Sequence, residues 1–105
     1  MINATFFIDG ENLSGFSLEG HSGFDEEGRD IVCAAVSSAA YMAANTVTDV
    51  IKEKASVKES DGKLELKLAR PSQAVQAVLR GLEIHLRNIS EQYPGKVTVI
   101  YGGVQ

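Results

Sequence analysis

The feature that most constrains this fold is a long alanine-rich stretch in the middle of the chain. Val32, Ala35, Val36, Ala39, Ala43, Val47, Val50 and Ile51 recur near a 3.6-residue period. The spacing predicts a helix that opens at Asp30 and fades near Lys54. Ala34, Ala35, Ala39, Ala40, Ala43 and Ala44 keep that helix thin, so that it can lie close against a sheet. A second helix is predicted from Pro71-Ser72, with the apolar stripe Val75, Val78, Leu79, Leu82, Leu86, Ile89 and Tyr93, stopped by Pro94-Gly95.

Short segments suited to strands surround these helices. Ile2 to Ile8 is apolar and ends at Asp9-Gly10, a turn signal. Asp9 to Ser14 reads as the turn, and Gly15 to Gly20 alternates as a second strand of a hairpin. Ala55–Glu59 and Lys63–Ala69 flank Ser60-Asp61-Gly62, and Asp-Gly between alternating stretches is a strong hairpin signal. Lys96 to Tyr101 is the last strand. The order β-β-α-β-β-α-β predicts an α+β fold, a two-layer α/β sandwich with two helices packed on one face of a mixed sheet. Residues 1–105 are read as one domain, because a chain of 105 residues buries roughly 65% of its unfolded surface and supports one modest core. Such a sheet leaves edges that need cover, and dimerisation is a common remedy.

Composition narrows the chemistry. The single cysteine, Cys33, excludes an internal disulfide, CxxC redox chemistry and a thiolate metal cluster. No metal and no cofactor are expected. No basic leader precedes the first strand, and no apolar stretch approaches the roughly 18 residues of a membrane span. A cytoplasmic, reducing setting and no membrane partner are expected. Residues 1–51 carry eight acids and one base, whereas residues 52–105 carry six acids and nine bases. The acidic half is a poor phosphate-binding surface, so direct nucleic-acid binding is not expected. Gly20-His21-Ser22-Gly23 matches the G-x-x-G of a KH loop, but it follows a strand and runs into Asp25-Glu26-Glu27, where a KH loop is basic.

Cys33 lies three residues after Asp30. With Asp30 as helix cap, the thiol falls in the first turn, beside backbone N–H groups at the positive end of the helix dipole, a place that favours a thiolate. His21 sits at the end of the preceding strand, in a loop whose glycines, Gly20, Gly23 and Gly28, let it fold back over the helix start. A Cys–His pair needs only that proximity to work as nucleophile and base. The amides of the helix start are the expected oxyanion donors. Phe24 and the loop are expected to close on the substrate. Ser37 lies one turn after Cys33 on the same side and is placed either to donate into the site or to pack on the sheet. Asp30 either orients His21 or only caps the helix. His85, beside Leu86, reads as a surface residue. On these residues alone, Cys33 is either a small buried filler of an alanine-rich helix or a reactive thiol.

Gly20-His21-Ser22-Gly23, followed by Gly28-Arg29-Asp30-Ile31-Val32-Cys33-Ala34-Ala35-Val36-Ser37, resembles the signature of the bacterial ribosomal-processing cysteine protease family, Prp. The likeness extends to the preceding hairpin, the Asp61-Gly62 turn and Glu91-Gln92-Tyr93-Pro94. The resemblance implies a Cys–His dyad of Cys33 and His21, with Asp30 and Ser37 as the motif aspartate and serine. It implies a homodimer of small α/β subunits with a glycine-rich loop, here Gly20 to Arg29, over the active site. It also implies a ribosomal protein precursor as peptide substrate: the N-terminal extension of large-subunit protein number twenty-seven, whose removal supports ribosome assembly. Ser22 stands where the family often has alanine.

Three functions are carried forward: a cysteine endopeptidase, a non-catalytic ribosome-associated protein- or RNA-binding module, and a thiol hydrolase or acyltransferase acting on something other than a peptide.

Overall fold

The computed structural model describes residues 1–21, 23, 25–26 and 30–103. Strand β1 (Ile2–Asp9) and β2 (Asn12–Glu19) form the first hairpin, followed by helix α1 (Ile31–Asn45) with a π-helical continuation (Thr46–Ile51). Then come β3 (Ala55–Ser60), β4 (Lys63–Leu68), helix α2 (Gln73–Gln92) and β5 (Val97–Gly102). The order read from the sequence is the order observed. The five strands lie as β3-β4-β2-β1-β5. β5 runs parallel to β1 and every other pair is antiparallel, so the sheet is mixed.

The first turn is tighter than the sequence suggests. Asp9 pairs with Asn12, leaving only Gly10 and Glu11 between the strands. The register then shifts between Phe7 and Ile8, with Ser14 the extra residue on β2. Leu13 pairs with Ile8 of β1, but the β2–β4 register reaches only Gly15, and on that side Gln76 of α2 meets the Leu13 backbone. Leu13 N–H donates to Gln76 Oε1 at 2.8 Å, and Gln76 Nε2 donates to the Leu13 carbonyl at 2.8 Å. A side chain thus satisfies this backbone and fixes α2 to the sheet.

Alternation in β1, β2 and β4 sends one row of side chains toward the helices. Cross-strand neighbours Ala4 and Leu18, Phe6 and Phe16, Phe16 and Leu66, and Leu18 and Leu64 form the inner face. Phe6, Phe16, Leu13, Leu66, Leu79 and Leu86 are completely buried. Burying each such side chain is worth about 1.5–3 kcal/mol. A surface pair such as Lys67–Glu65, at 3.9 Å, is worth about 0–1 kcal/mol. The core therefore carries the fold.

The buried stripe of α1 differs in part from the expected one. Val32, Val36, Ala40, Ala43, Ala44 and Val47 are buried, whereas Ala35 and Val50 are exposed. Alanine is apolar enough to belong to either face, so the period alone does not decide between Ala35 and Ala40. Beyond Asn45 the helix widens. Thr46 Oγ1 and Thr48 Oγ1 donate to the carbonyls four residues back, at 2.7 and 3.1 Å, in a β-branched run. It stops at Lys52, whose left-handed backbone (φ 62°) turns the chain into β3. From Ile31 to Ile51 the helix is 21 residues with a mean hydropathy of 1.4 over its best window. By length and composition that is enough to cross a membrane, which corrects the expectation that no apolar stretch approaches such a span. Its buried face instead belongs to the same core as the sheet and α2.

Candidate active site

The start of α1 is built by Asp30. Its backbone is extended, its side chain is buried, and Oδ1 accepts the N–H groups of Val32 and Cys33 at 3.0 and 2.9 Å. Its carbonyl accepts the Ala34 N–H at 3.0 Å. This is the cap expected from the sequence, and it puts Cys33 in the first turn. Of the amides at the helix start, those of Val32 and Cys33 thus already donate to Asp30.

Cys33 is half-buried. It packs partly against the core and also borders a cavity, which a mere space-filler would not need to do.

His21 follows β2 directly. Gly20, just before it, has φ 101°, and a Cβ there would sit 2.4 Å from the Met1 carbonyl oxygen. Only glycine allows the end of β2 to pass the N-terminal residue this closely. Gly20 N–H donates to the Gly62 carbonyl at 2.8 Å, tying the start of the His21 segment to the β3–β4 turn. The imidazole rests over that turn: His21 Nε2 is 3.2 Å from where a Cβ on Gly62 would stand.

These elements enclose a cavity of about 330 Å³. Gly20, His21, Asp30, Cys33 and Ser37 all line it, so residues from the end of β2 and the start of α1 meet at one place. Ile2, Leu18, Val36 and Leu64 give it an apolar base. Gly23 lies in the loop with an exposed position, and the Lys96 ammonium approaches its carbonyl at 3.4 Å. Ser22, Phe24 and Gly28 fall outside the described residues. Asp25 and Glu26 are exposed, and the Glu26 N–H donates to Asp25 Oδ1 at 2.7 Å. His85 is exposed, as expected, and stands apart from the cavity on α2. Among the described residues, no three His, Cys, Asp or Glu side chains gather as a metal site.

Four lining residues were not singled out from the sequence: Tyr41, Ser60, Gly62 and Lys63. Tyr41 had a signal. Cys33, Ser37 and Tyr41 are spaced by four, so they share one helix face. The other three come from the β3–β4 hairpin, whose turn was legible but whose position in space was not. The Tyr41 hydroxyl donates to Glu59 of β3. That hydrogen bond, partial burial and the Glu59 charge together push the phenol above its ordinary range.

Comparison with known proteins bears on the fold and the family. No curated protein matches the chain. Among solved structures, the essential ribosomal processing protease Prp from S. aureus, in complex with a covalently linked product peptide, is similar with a TM-score of 0.90 at 23% identity, over 96% of this chain and 99% of that one. The same protease with a substrate peptide gives 0.84 at 22% identity, over 96% and 99%. SMU.848 from Streptococcus mutans gives 0.83 at 30% identity, over 99% and 96%. The family model described as cysteine protease Prp matches residues 1–98, nearly the whole sheet and both helices. With that match spanning four strands, the start of β5, both helices and every residue that lines the cavity, the chain belongs to the cysteine protease Prp family.

Proposed function

We propose that this protease removes the N-terminal extension of large-subunit ribosomal protein twenty-seven, with Cys33 as nucleophile and His21 as its base. The observation that carries the reading is that His21 and Cys33, held by different elements, line one cavity. The likeness to a ribosomal processing protease that has been seen with substrate and product peptides supports the substrate class.

In this reading His21 takes the Cys33 thiol proton as Sγ attacks the scissile carbonyl carbon. The tetrahedral intermediate collapses, the C–N bond breaks, and the imidazolium gives its proton to the leaving amine. Water then attacks the thioester with His21 again as base, releasing the acid product and restoring the thiol. Asp30 holds the helix start, and with it the Cys33 backbone, through both steps. Ser37, one turn further on the same wall, contacts the peptide.

The test is cleavage of a peptide carrying the ribosomal extension. Cys33→Ala and His21→Ala should each abolish cutting, and undiminished cleavage by both variants would end the proposal. If the wild-type protein binds the precursor but cuts nothing, and Cys33→Ser binds it equally well, the chain is a binding module. If other esters or thioesters are turned over and the peptide is not, the substrate class is wrong. The same reading includes a homodimer in the cytoplasm, and sedimentation velocity at micromolar concentration tests the first of these.

A further inference from the structure

We infer that Gly62 is a positioning residue for His21: its bare α-carbon and its carbonyl together seat the imidazole in the cavity shared with Cys33. Three observations converge. Gly62 has φ 72° in the two-residue β3–β4 turn, a left-handed conformation. Its carbonyl accepts the Gly20 N–H at 2.8 Å, which fixes the backbone immediately before His21. A Cβ at this position would meet His21 Nε2 at 3.2 Å, and Cδ2 and Cε1 each at 3.8 Å.

The turn and the seat make different demands. A left-handed turn position tolerates asparagine as well as glycine. The imidazole contact tolerates no side chain without yielding. His21 is exposed, so its ring is free to move aside while the hairpin stays folded. The inference rests on the reading of His21 as the base, because a displaced ring matters to cleavage only if it takes the proton.

The experiment compares Gly62→Asn with Gly95→Asn. Gly95 also has a left-handed backbone, φ 81°, but a Cβ there meets nothing within 4 Å. Both variants should lose similar thermal stability. Gly62→Asn should lower kcat by about tenfold or more with KM little changed, since small misplacements of a reacting group are that costly. The His21 ring resonances, followed by ¹H–¹⁵N NMR, should move in Gly62→Asn and stay in place in Gly95→Asn. Equal activity in the two variants with unmoved ring resonances overturns the inference. Should Gly62→Asn fail to fold, the wild-type protein decides: a nuclear Overhauser effect between the His21 ring protons and the Gly62 α protons is expected, and its absence overturns the seat. These signals do not depend on cleavage. Retained cutting by His21→Ala would remove the catalytic reading and leave the seat standing.

Discussion

Tyr41 of α1 donates a hydrogen bond to Glu59 of β3, linking the helix that carries Cys33 to the outermost strand of the sheet. Tyr41 stands eight residues after Cys33, about 12 Å along the helix axis. Both residues line the same cavity. The bridge joins the helical wall of that cavity to the edge strand.

Tyr41→Phe and Glu59→Gln should therefore be coupled. Both side chains are exposed, so the effect on stability is small, about 0.5–1 kcal/mol for one hydrogen bond. A double-mutant cycle on kcat/KM should show that the two changes do not add, with the double variant little worse than either single one. The phenol is held above its ordinary range, so it stays protonated and able to donate below about pH 10. The coupling should persist through neutral pH and vanish as the pH rises through the raised value. Strict additivity at pH 7 would show that the bridge does not form in solution.

Asp30 separates two roles that sequence alone leaves open. The carboxylate oxygen that accepts from Val32 and Cys33 is doing the work of a cap. Asp30→Ala should cost about 1–2 kcal/mol in urea unfolding, the usual loss for a cap. Asp30→Asn keeps an acceptor oxygen and should lose less than half as much. Activity should follow stability across the two variants at temperatures where both are folded. A fully folded Asp30→Asn protein with no activity would instead assign the aspartate charge to the reaction.

Much of this site was legible before the fold was known, for reasons that are local. Asp30, Cys33 and Ser37 announce themselves through helix geometry, because a cap, a first-turn residue and a residue one turn on are fixed by spacing. The strand order β3-β4-β2-β1-β5 was not legible, since it depends on pairings between residues far apart, such as Ile2 with Val97. Gly62 shows the same limit. The Asp61-Gly62 dipeptide marks a turn, but its contact with His21 exists only because β2 and β4 are neighbours in the sheet. The tight turn at Gly10-Glu11 was missed because the bulge at Ser14 breaks the simple alternation of β2.

At the other end of the sheet, Glu83 of α2 is buried against Tyr101 of β5. The Tyr101 hydroxyl donates to Glu83 Oε2 at 2.5 Å, Arg80 donates to Oε1 at 3.0 Å, and Arg80 also reaches the Glu11 carbonyl at 3.0 Å. Burial pushes the Glu83 carboxyl up. The hydrogen bonds from Tyr101 and Arg80, with the charges of Arg80 and Arg87, outweigh it and bring the carboxyl below its ordinary range. A depressed folded value means that the ionised form favours the native state. That contribution is complete above the unfolded value near 4.3 and is lost as pH falls through the lower folded value. Glu83→Gln should cost about 1–3 kcal/mol at pH 7, the range for a charge-assisted hydrogen bond network with buried partners. The difference from wild type should shrink on acidification, read as converging urea midpoints toward pH 3. A constant difference across that range would place the loss in packing.

The alanines of α1 make the last prediction, because their size sets how near the helix that carries Cys33 lies to the sheet. Ala40 is completely buried, while Ala35 is exposed on the opposite side of the helix. Ala40→Leu inserts a branched side chain where the core has no space, and overpacking of this kind costs about 1–3 kcal/mol. The helix must shift outward or the side chain must adopt a strained rotamer. Cys33 rides on the same helix, so cleavage should fall even in the folded fraction. Ala35→Leu adds the same atoms on the exposed face and should change stability by no more than about 0.5 kcal/mol. Thermal unfolding and cleavage measured side by side check both. A costly Ala35→Leu with a tolerated Ala40→Leu would mean that α1 presents the other face to the sheet, as the apolar period by itself allowed.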